Sequence, residues 1–199
     1  MKHKKALCEE IGLPYKKDTP LLDMITRLAS QKGIDLLLAI LDELLLEDIQ
    51  LVVLGTGEKE YEDSLRAAEA RHDNFKALIT FDRVLSKKMY AAADIFLMPS
   101  KSEPCGLAQM ISCSYATIPV VRSVGGLKDS IIPYGAEGAN GFRFDNYNAH
   151  ELLFTVKDAV SVYKNKEAWH TLTKAAKASN FTWDASAEKY IEIYNNLTK

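Results

Sequence analysis

The chain has 199 residues, a length that suits one α/β domain or two small ones. Its 25 basic and 27 acidic side chains leave a formal net charge of -2, which gives no electrostatic support for binding nucleic acid or an anionic membrane. The 3 cysteines are odd in number and lack CxxC spacing, and the 4 histidines are scattered, so neither a disulfide framework nor a metal site is predicted. No apolar stretch is long enough to span a membrane and no signal-peptide core follows the basic start, so we expect a cytoplasmic protein.

Short apolar runs alternate with amphipathic stretches along most of the chain. The predicted strands are Pro20–Thr26, Gln50–Leu54, Phe75–Phe81, Ile95–Met98 and Ile118–Val121. The predicted helices are Lys2–Ile11, Lys32–Leu46, Tyr61–Arg71, Ser86–Ala92 with Ser86 as its cap, and Gly106–Tyr115. Strands separated by helices in this rhythm predict βαβ units, and hence a parallel α/β sheet with helices on both faces.

The pattern changes after residue 133. Glycine and polar residues dominate as far as residue 148, with Phe142–Phe144 as a possible short strand. Three helical stretches follow, at His150–Tyr163, Lys166–Ala178 and Asp184–Leu197. The last is predicted to begin with Asp184 as its cap and to carry Tyr190, Ile193 and Leu197 on one side. A single domain with a helical tail from about residue 150 is the simplest interpretation.

Ligands of such sheets bind beyond the carboxyl ends of the strands, so the loops there are the places to look for a site. Arg27 and Lys32 lie between the first strand and the next helix, where backbone N–H groups favour an anion. Together they suit a diphosphate. A solvated Arg27 and a Lys32 without function fit the spacing equally well. Gly55 and Gly57 follow the next strand, but Glu60 leaves the GxGxxG pattern incomplete, which favours a tight turn.

The loop after the fourth strand carries Glu103, which could accept hydrogen bonds from sugar hydroxyls. Gly106 lets a ligand approach the backbone of the following helix, predicted to begin with Gly106 and Leu107. The alternative makes Glu103 a partner of the helix dipole and Pro104 a helix-start residue. The position of this loop favours a functional role. Cys105 has no histidine near it in sequence, so no cysteine nucleophile is predicted.

Two further features follow strand ends. Arg122, Gly125 and Gly126 again pair a basic residue with consecutive glycines, which suits phosphate binding or a glycine turn. Phe81 is placed either to pack in the core or to stack on a flat ring.

Six segments, in order and spacing, resemble the C-terminal domain of bacterial glycogen synthases and plant starch synthases, which use ADP-glucose. These segments are Arg27–Gly33, Gln50–Gly57, Tyr90–Ser100, Glu103–Leu107, Gly125–Leu127 and Phe181–Asp184. The agreement extends over essentially all 199 residues. The resemblance implies the C-terminal, Rossmann-like lobe of a two-lobed GT-B glycosyltransferase, without the N-terminal lobe that binds the α-glucan acceptor.

The resemblance also implies roles for single residues. Arg27 and Lys32 would bind the diphosphate of ADP-glucose or ADP, and Glu103 would hold the glucose hydroxyls. Cys105, Gly106 and Leu107 would line the sugar and phosphate, while Phe81 would stack on adenine. The implied reaction transfers glucose with retention to the non-reducing end of an α-1,4-glucan, with no metal and no cofactor besides the substrate. The chain alone is expected to be inactive.

Val124 is the sharpest departure, because relatives commonly have threonine before the two glycines. Loss of that hydroxyl would remove one phosphate contact, at a cost of roughly 1 kcal/mol. Two other hypotheses therefore stay open: a non-catalytic or regulatory sugar-nucleotide-binding module, and a related glycosyltransferase that uses UDP-glucose.

Overall fold

The computed structural model describes residues 2–197. Its strands are β1 (Leu21–Ile25), β2 (Gln50–Leu54), β3 (Phe75–Leu78), β4 (Ile95–Met98), β5 (Ile118–Arg122) and β6 (Phe142–Phe144). In this described part they form one 6-stranded sheet in the order β3-β2-β1-β4-β5-β6, with each neighbouring pair parallel. The chain order reverses between β1 and β4, as in doubly wound Rossmann sheets. The predicted Rossmann-like α/β class is confirmed.

Helices connect the strands and cover both faces of the sheet. They are α1 (Lys2–Ile11), α2 (Ile34–Leu44), α3 (Lys59–Glu69), α4 (Arg83–Ala92), α5 (Ala108–Ser114), α6 (Gly125–Ser130), α7 (Ala149–Lys164), α8 (Lys166–Ala178) and α9 (Trp183–Leu197). A 3-10 turn, Ser30–Lys32, precedes α2. Helix α6 was not predicted, because its two leading glycines resemble a turn.

Two predicted helix caps were wrong. Helix α4 begins earlier than Ser86, because the Asp82 carboxylate accepts hydrogen bonds from two backbone amides of the first turn at 2.8 and 2.9 Å. Asp184 lies inside the first turn of α9, and the hydroxyl of Thr182 is the oxygen that faces an amide there, at 3.4 Å. In both cases another residue that can cap a helix lies within four positions of the predicted cap. The sequence alone does not decide which of the two candidates is the cap.

The sheet separates two hydrophobic clusters. Leu22 and Met24 of β1 pack into the larger one, under α2, α7 and α8. Leu21, on the other face of β1, packs into a smaller cluster under α1 and α4. The ammonium group of buried Lys4 attaches α1 to the sheet by donating to the Thr19 carbonyl and, at 2.8 Å, to Oδ2 of Asp94.

Helix α9 is amphipathic and lies on the surface of the described chain. None of its residues is buried, although it carries large apolar side chains. The exposed ones are Trp183, Tyr190, Ile191, Ile193, Tyr194 and Leu197. Clustered exposed apolar side chains are typical of interaction surfaces. No helix within residues 2–197 is long and apolar enough to cross a membrane.

Asp23 is a buried carboxyl group in the middle of β1. Its side chain is on the same face as Leu21, and the residue is 1 % exposed. Neither carboxyl oxygen has a hydrogen-bond partner among residues 2–197. Burial, followed by the charge of Asp94, raises the pKa of Asp23 well above its ordinary value of 3.8. Between the unfolded and the folded pKa of Asp23, the folded chain therefore holds a proton that the unfolded chain releases.

Replacing this carboxyl group is expected to stabilise the fold. Above the ordinary carboxyl pKa, the folded state keeps the Asp23 proton and the unfolded state loses it, so stability falls by about 1.4 kcal/mol per pH unit until the folded pKa is reached. Asp23→Val removes this slope and, at neutral pH, raises the free energy of unfolding by roughly 1–3 kcal/mol. Urea unfolding at several pH values measures both effects.

Asp23→Asn is the matched control, because it removes the charge and keeps the buried polar atoms. It should abolish the slope while stabilising less than Asp23→Val. An unchanged slope in both variants would show that another group causes the pH dependence.

Candidate functional site

A cavity of about 360 Å³ opens beyond the carboxyl ends of β1 and β4. The strand order reverses between these two strands, and doubly wound sheets bind their ligands at this switch point. The cavity is lined by several of the predicted site residues, namely Arg27, Lys32, Glu103, Gly106 and Leu107. Parallel pairing of β1 with β4 thus brings together Arg27 and Glu103, which lie 76 positions apart in the sequence.

Lys32 and Glu103 form an ion pair in this cavity. Nζ of Lys32 lies 2.5 Å from Oε2 of Glu103, and the Ser100 hydroxyl lies 3.4 Å from the same oxygen. Glu103 is only 9 % exposed, so the pair is poorly screened by solvent. Oε1 of Glu103 has no hydrogen-bond partner among the described residues. That oxygen can accept a hydrogen bond from a ligand hydroxyl.

The backbone holds the two loops against each other. Gly33 has a φ of 76°, and a Cβ there would lie 2.2 Å from the carbonyl oxygen of Pro99. The amide of Lys101 donates to the Gln31 carbonyl at 2.8 Å, and the Gln31 side chain donates to the Ser102 carbonyl at 3.2 Å. Backbone contacts between the two loops therefore hold Lys32 and Glu103 in place, in addition to the attraction between their charges.

Arg27 adds an unpaired positive charge. It is exposed and makes no ion pair within residues 2–197. With Lys32 it sets two cations against the single carboxylate of Glu103, so these three side chains carry a net charge of about +1 at neutral pH. A cavity with such a charge attracts anions. Among residues 2–197 no group of three His, Cys, Asp or Glu side chains is placed to hold a metal ion.

A second cavity, of about 390 Å³, adjoins the first and shares Arg27 with it. It lies beyond the ends of β1, β2 and β3 and is lined by Thr26, Thr56, Phe81 and Arg83. Phe81 lies three residues after the end of β3, so the predicted strand end was wrong. Its ring is 83 % exposed, which excludes the core alternative. An exposed phenyl ring beside a cationic cavity suits a flat ring attached to an anion.

Helix α5 points its N-terminus at the first cavity, but begins two residues later than predicted. Gly106 has a φ of 74° and precedes the helix, while Leu107 is its N-cap. Their two amides donate to no acceptor in the described chain, so they are available to an anion. Buried Gln109 holds this loop by donating to the carbonyls of Cys105 and Gly106 at 3.2 and 3.0 Å.

Gly125 and Gly126, which the sequence suits to phosphate binding or to a glycine turn, pack against the loop of Glu103. The Gly126 amide already donates to the carbonyls of Glu103 and Pro104, both at 3.2 Å. A Cβ on Gly125 would lie 2.2 Å from the Glu103 oxygen, and one on Gly126 would lie 2.0 Å from the Cys105 oxygen. The two glycines let two loops pack backbone to backbone, which leaves the Gly126 amide unavailable to phosphate.

Arg122 and Cys105 were also predicted to contact the ligand. In the described chain both lie outside the two cavities. Arg122 Nη1 instead donates to the carbonyl of Lys101 at 2.7 Å, which supports the loop that carries Glu103. Cys105 is an exposed free thiol. Val124 is the N-cap of α6 and makes no side-chain capping bond there.

Several residues that line the two cavities were not predicted from the sequence. Thr26, Thr56, Arg83 and Ser100 line the cavities and were not singled out. Tyr147, after β6, contacts the loops after β1 and β4 and was also missed. The sequence could have indicated these residues, because every loop that follows a parallel strand lies at the same edge of the sheet. The loop after β6, which carries Tyr147, is one of these loops.

Comparison with known proteins identifies relatives of this fold. A model of the family described as glycosyl transferases group 1 matches residues 11–179. The chain is 48% identical over 196 residues to a glycogen synthase of Desulfitobacterium hafniense, covering 96% of the chain and 42% of that protein. It is 47% identical over 203 residues to a glycogen synthase of Bacillus subtilis, covering 100% of the chain and again 42% of the relative.

Among solved structures, the catalytic domain of starch synthase IV from Arabidopsis thaliana, bound to ADP and acarbose, superimposes with a TM-score of 0.88. Sequence identity is 33%, and the match covers 98% of this chain and 42% of the chain in that structure. The chain thus spans less than half the length of the relatives it matches. Because the family model covers most of the chain, this chain belongs to the group 1 glycosyl transferases.

Proposed function

We propose that the chain is the donor-binding lobe of a retaining glucosyltransferase that moves glucose from ADP-glucose to the non-reducing end of an α-1,4-glucan. The observation that carries the proposal is the cationic cavity of Arg27, Lys32 and Glu103 at the switch point, adjoining the cavity of Phe81. The names of the two bacterial relatives and the ADP bound to the plant structure support it.

The proposed chemistry follows from the charges in the two cavities. Arg27, Lys32 and the free amides at the start of α5 bind the diphosphate, and Phe81 stacks on the base. Glu103 accepts hydrogen bonds from the glucose hydroxyls. The bond from glucose C1 to the phosphate oxygen breaks, the acceptor oxygen bonds to C1, and its proton leaves with ADP. Fixed cations stabilise the charge that develops on the departing diphosphate. Neither a metal nor a cofactor takes part in the proposed reaction.

A second lobe belongs to this proposal. The chain covers 42% of each relative, and α9 presents an uncovered apolar surface. We propose that this surface packs against the remainder of a larger protein, which holds the glucan acceptor. The isolated chain would then bind the donor weakly and transfer no glucose. Its three free thiols suit the reducing cytoplasm, which we propose as its location.

Loss of either cation should weaken nucleotide binding. Charge-assisted hydrogen bonds are worth about 1.5–3 kcal/mol, so Arg27→Ala or Lys32→Ala should lower the affinity for ADP roughly 10- to 100-fold. Isothermal titration calorimetry with ADP, ADP-glucose and UDP-glucose measures this effect. Arg71→Ala is the control, because Arg71 is an exposed arginine paired with Asp42 outside both cavities.

Each outcome of this titration has a meaning. A preference for adenine that is lost in the cavity variants supports the proposal. A preference for UDP-glucose would replace the donor in the proposed reaction. Equal binding by the native chain and the variants would mean that Arg27 and Lys32 do not hold the diphosphate, and a native chain that binds none of the three ligands would contradict the proposed donor-binding role.

Glu103→Gln separates the sugar from the diphosphate. The substitution removes the negative charge beside Lys32 and keeps the shape of the side chain. Affinity for ADP should rise roughly two- to tenfold, because the diphosphate no longer competes with a carboxylate for Lys32. Any extra affinity for ADP-glucose over ADP should disappear, since an amide holds sugar hydroxyls less strongly than a carboxylate. Calorimetry with both ligands measures the two changes.

Exposed Glu137, outside the first cavity, provides the matched control as Glu137→Gln. A Glu103→Gln variant that loses affinity for ADP and ADP-glucose equally would mean that Glu103 only supports the loop.

The exposed face of α9 should make the chain associate with itself when the proposed partner surface is absent. Replacing Trp183, Ile191 and Leu197 together by Gln should lower the association constant roughly tenfold or more, because it removes about 1.5–3 kcal/mol of apolar burial per side chain. Sedimentation velocity over a range of concentrations measures this. A control with Glu188→Gln and Glu192→Gln, two exposed residues on the other side of the helix, should associate like the native chain, and equal behaviour of both variants would contradict the proposed surface.

A further inference from the structure

Tyr147 contacts both loops that carry the ion pair. It follows β6, at the carboxyl-end edge of the sheet. Its hydroxyl lies 2.5 Å from Oδ1 of Asp35 and 3.3 Å from the carbonyl oxygen of Ser30. Its ring centroid lies 5.6 Å from Nζ of Lys101 and 5.5 Å from Cζ of Arg122. One side chain thus joins the segment after β1, the loop after β4 and the end of β5.

The backbone of Tyr147 is held in place by the start of α7. The Asn148 side chain accepts hydrogen bonds from two amides of the first turn, at 2.9 and 3.1 Å. The Glu151 carboxylate accepts from the backbone amide of Asn146 at 2.9 Å and from its side-chain amide. This reciprocal capping fixes the residues on both sides of Tyr147.

The contacts of Tyr147 lead directly to the ion pair. Ser30 is at the start of the 3-10 turn that ends at Lys32. Arg122, near the ring of Tyr147, donates to the Lys101 carbonyl in the loop that carries Glu103. We propose that Tyr147 is a positioning residue, which holds the turn of Lys32 and the loop of Glu103 together for donor binding. Its link to the donor rests on the proposed function.

The hydroxyl and the ring of Tyr147 make different contacts. The hydroxyl donates to Asp35 and fixes the turn at the start of α2. Burial, with the hydrogen bond to Asp35, raises the pKa of Tyr147 above its usual range, so the hydroxyl remains a donor at neutral pH. The ring attracts the two cations of Lys101 and Arg122, which otherwise repel each other.

Hydrogen exchange of the unliganded chain tests these contacts one by one. Tyr147→Phe removes only the hydroxyl, so amides of residues 32 and 33 should exchange roughly three- to tenfold faster and that of Lys101 should not change. Tyr147→Leu removes the ring as well, so the amide of Lys101 should also exchange faster. Tyr134 is a half-exposed tyrosine stacked on Phe142, and Tyr134→Leu is the control.

Calorimetry with ADP shows whether the positioning affects binding. Tyr147→Phe should weaken ADP binding roughly two- to tenfold in the native background. In a Lys32→Ala background the same substitution should have no further effect, because it acts through Lys32. A merely structural role would give equal losses in both backgrounds.

The outcomes separate this inference from the proposed function. Exchange rates at residues 32, 33 and 101 that match those of Tyr134→Leu would overturn the positioning role, whether or not ADP binds. A native chain that fails to bind ADP would overturn the proposed function, and exchange would still decide the role of Tyr147. Equal losses of ADP affinity with and without Lys32 would also overturn the inference.

Discussion

The salt bridge between Lys32 and Glu103 joins the two loops at the point where the sheet reverses its strand order. Parallel pairing of β1 with β4 places the loops side by side, and the ion pair then depends on how closely they approach. A buried carboxylate without a partner would be costly, so the pair constrains both loops. It also leaves Glu103 Oε1 and the neighbouring cation facing a common cavity. The geometry of the proposed donor site follows from this contact.

Close approach of backbone to backbone is the second requirement. Gly33 meets the Pro99 carbonyl, and Gly125 meets the Glu103 carbonyl, at distances that a Cβ does not permit. Arg122 and Gln109 then hold the same loop by donating to its carbonyl groups. The lining of the cavity is therefore set by residues that do not contact it. Such supporting residues determine whether the few charged groups are held in a fixed geometry.

The alternation of apolar runs was sufficient to predict the parallel sheet, because strands buried on both faces give continuous apolar sequence. The place of Arg27, Lys32 and Glu103 around one cavity could be predicted because all three follow strand ends. The roles of Gly126 and Arg122 could not, because a glycine that binds phosphate and one that permits loop packing look alike in sequence. Asp23 could not be predicted either, because nothing in the local sequence pattern indicates a buried carboxyl group without a hydrogen-bond partner in the described chain.

The structure changes the interpretation of Val124. A threonine hydroxyl at this position would meet the start of α6, where the Gly126 amide already donates to two carbonyl groups of the neighbouring loop. Val124 is the N-cap of this helix and has no side-chain oxygen to accept an amide hydrogen, which costs about 1 kcal/mol relative to threonine. Val124 therefore bears on the stability of α6 and, through Gly125, on the loop of Glu103. In the described chain Val124 lines neither cavity, whereas Arg27 and the two residues before α5, Gly106 and Leu107, line the first.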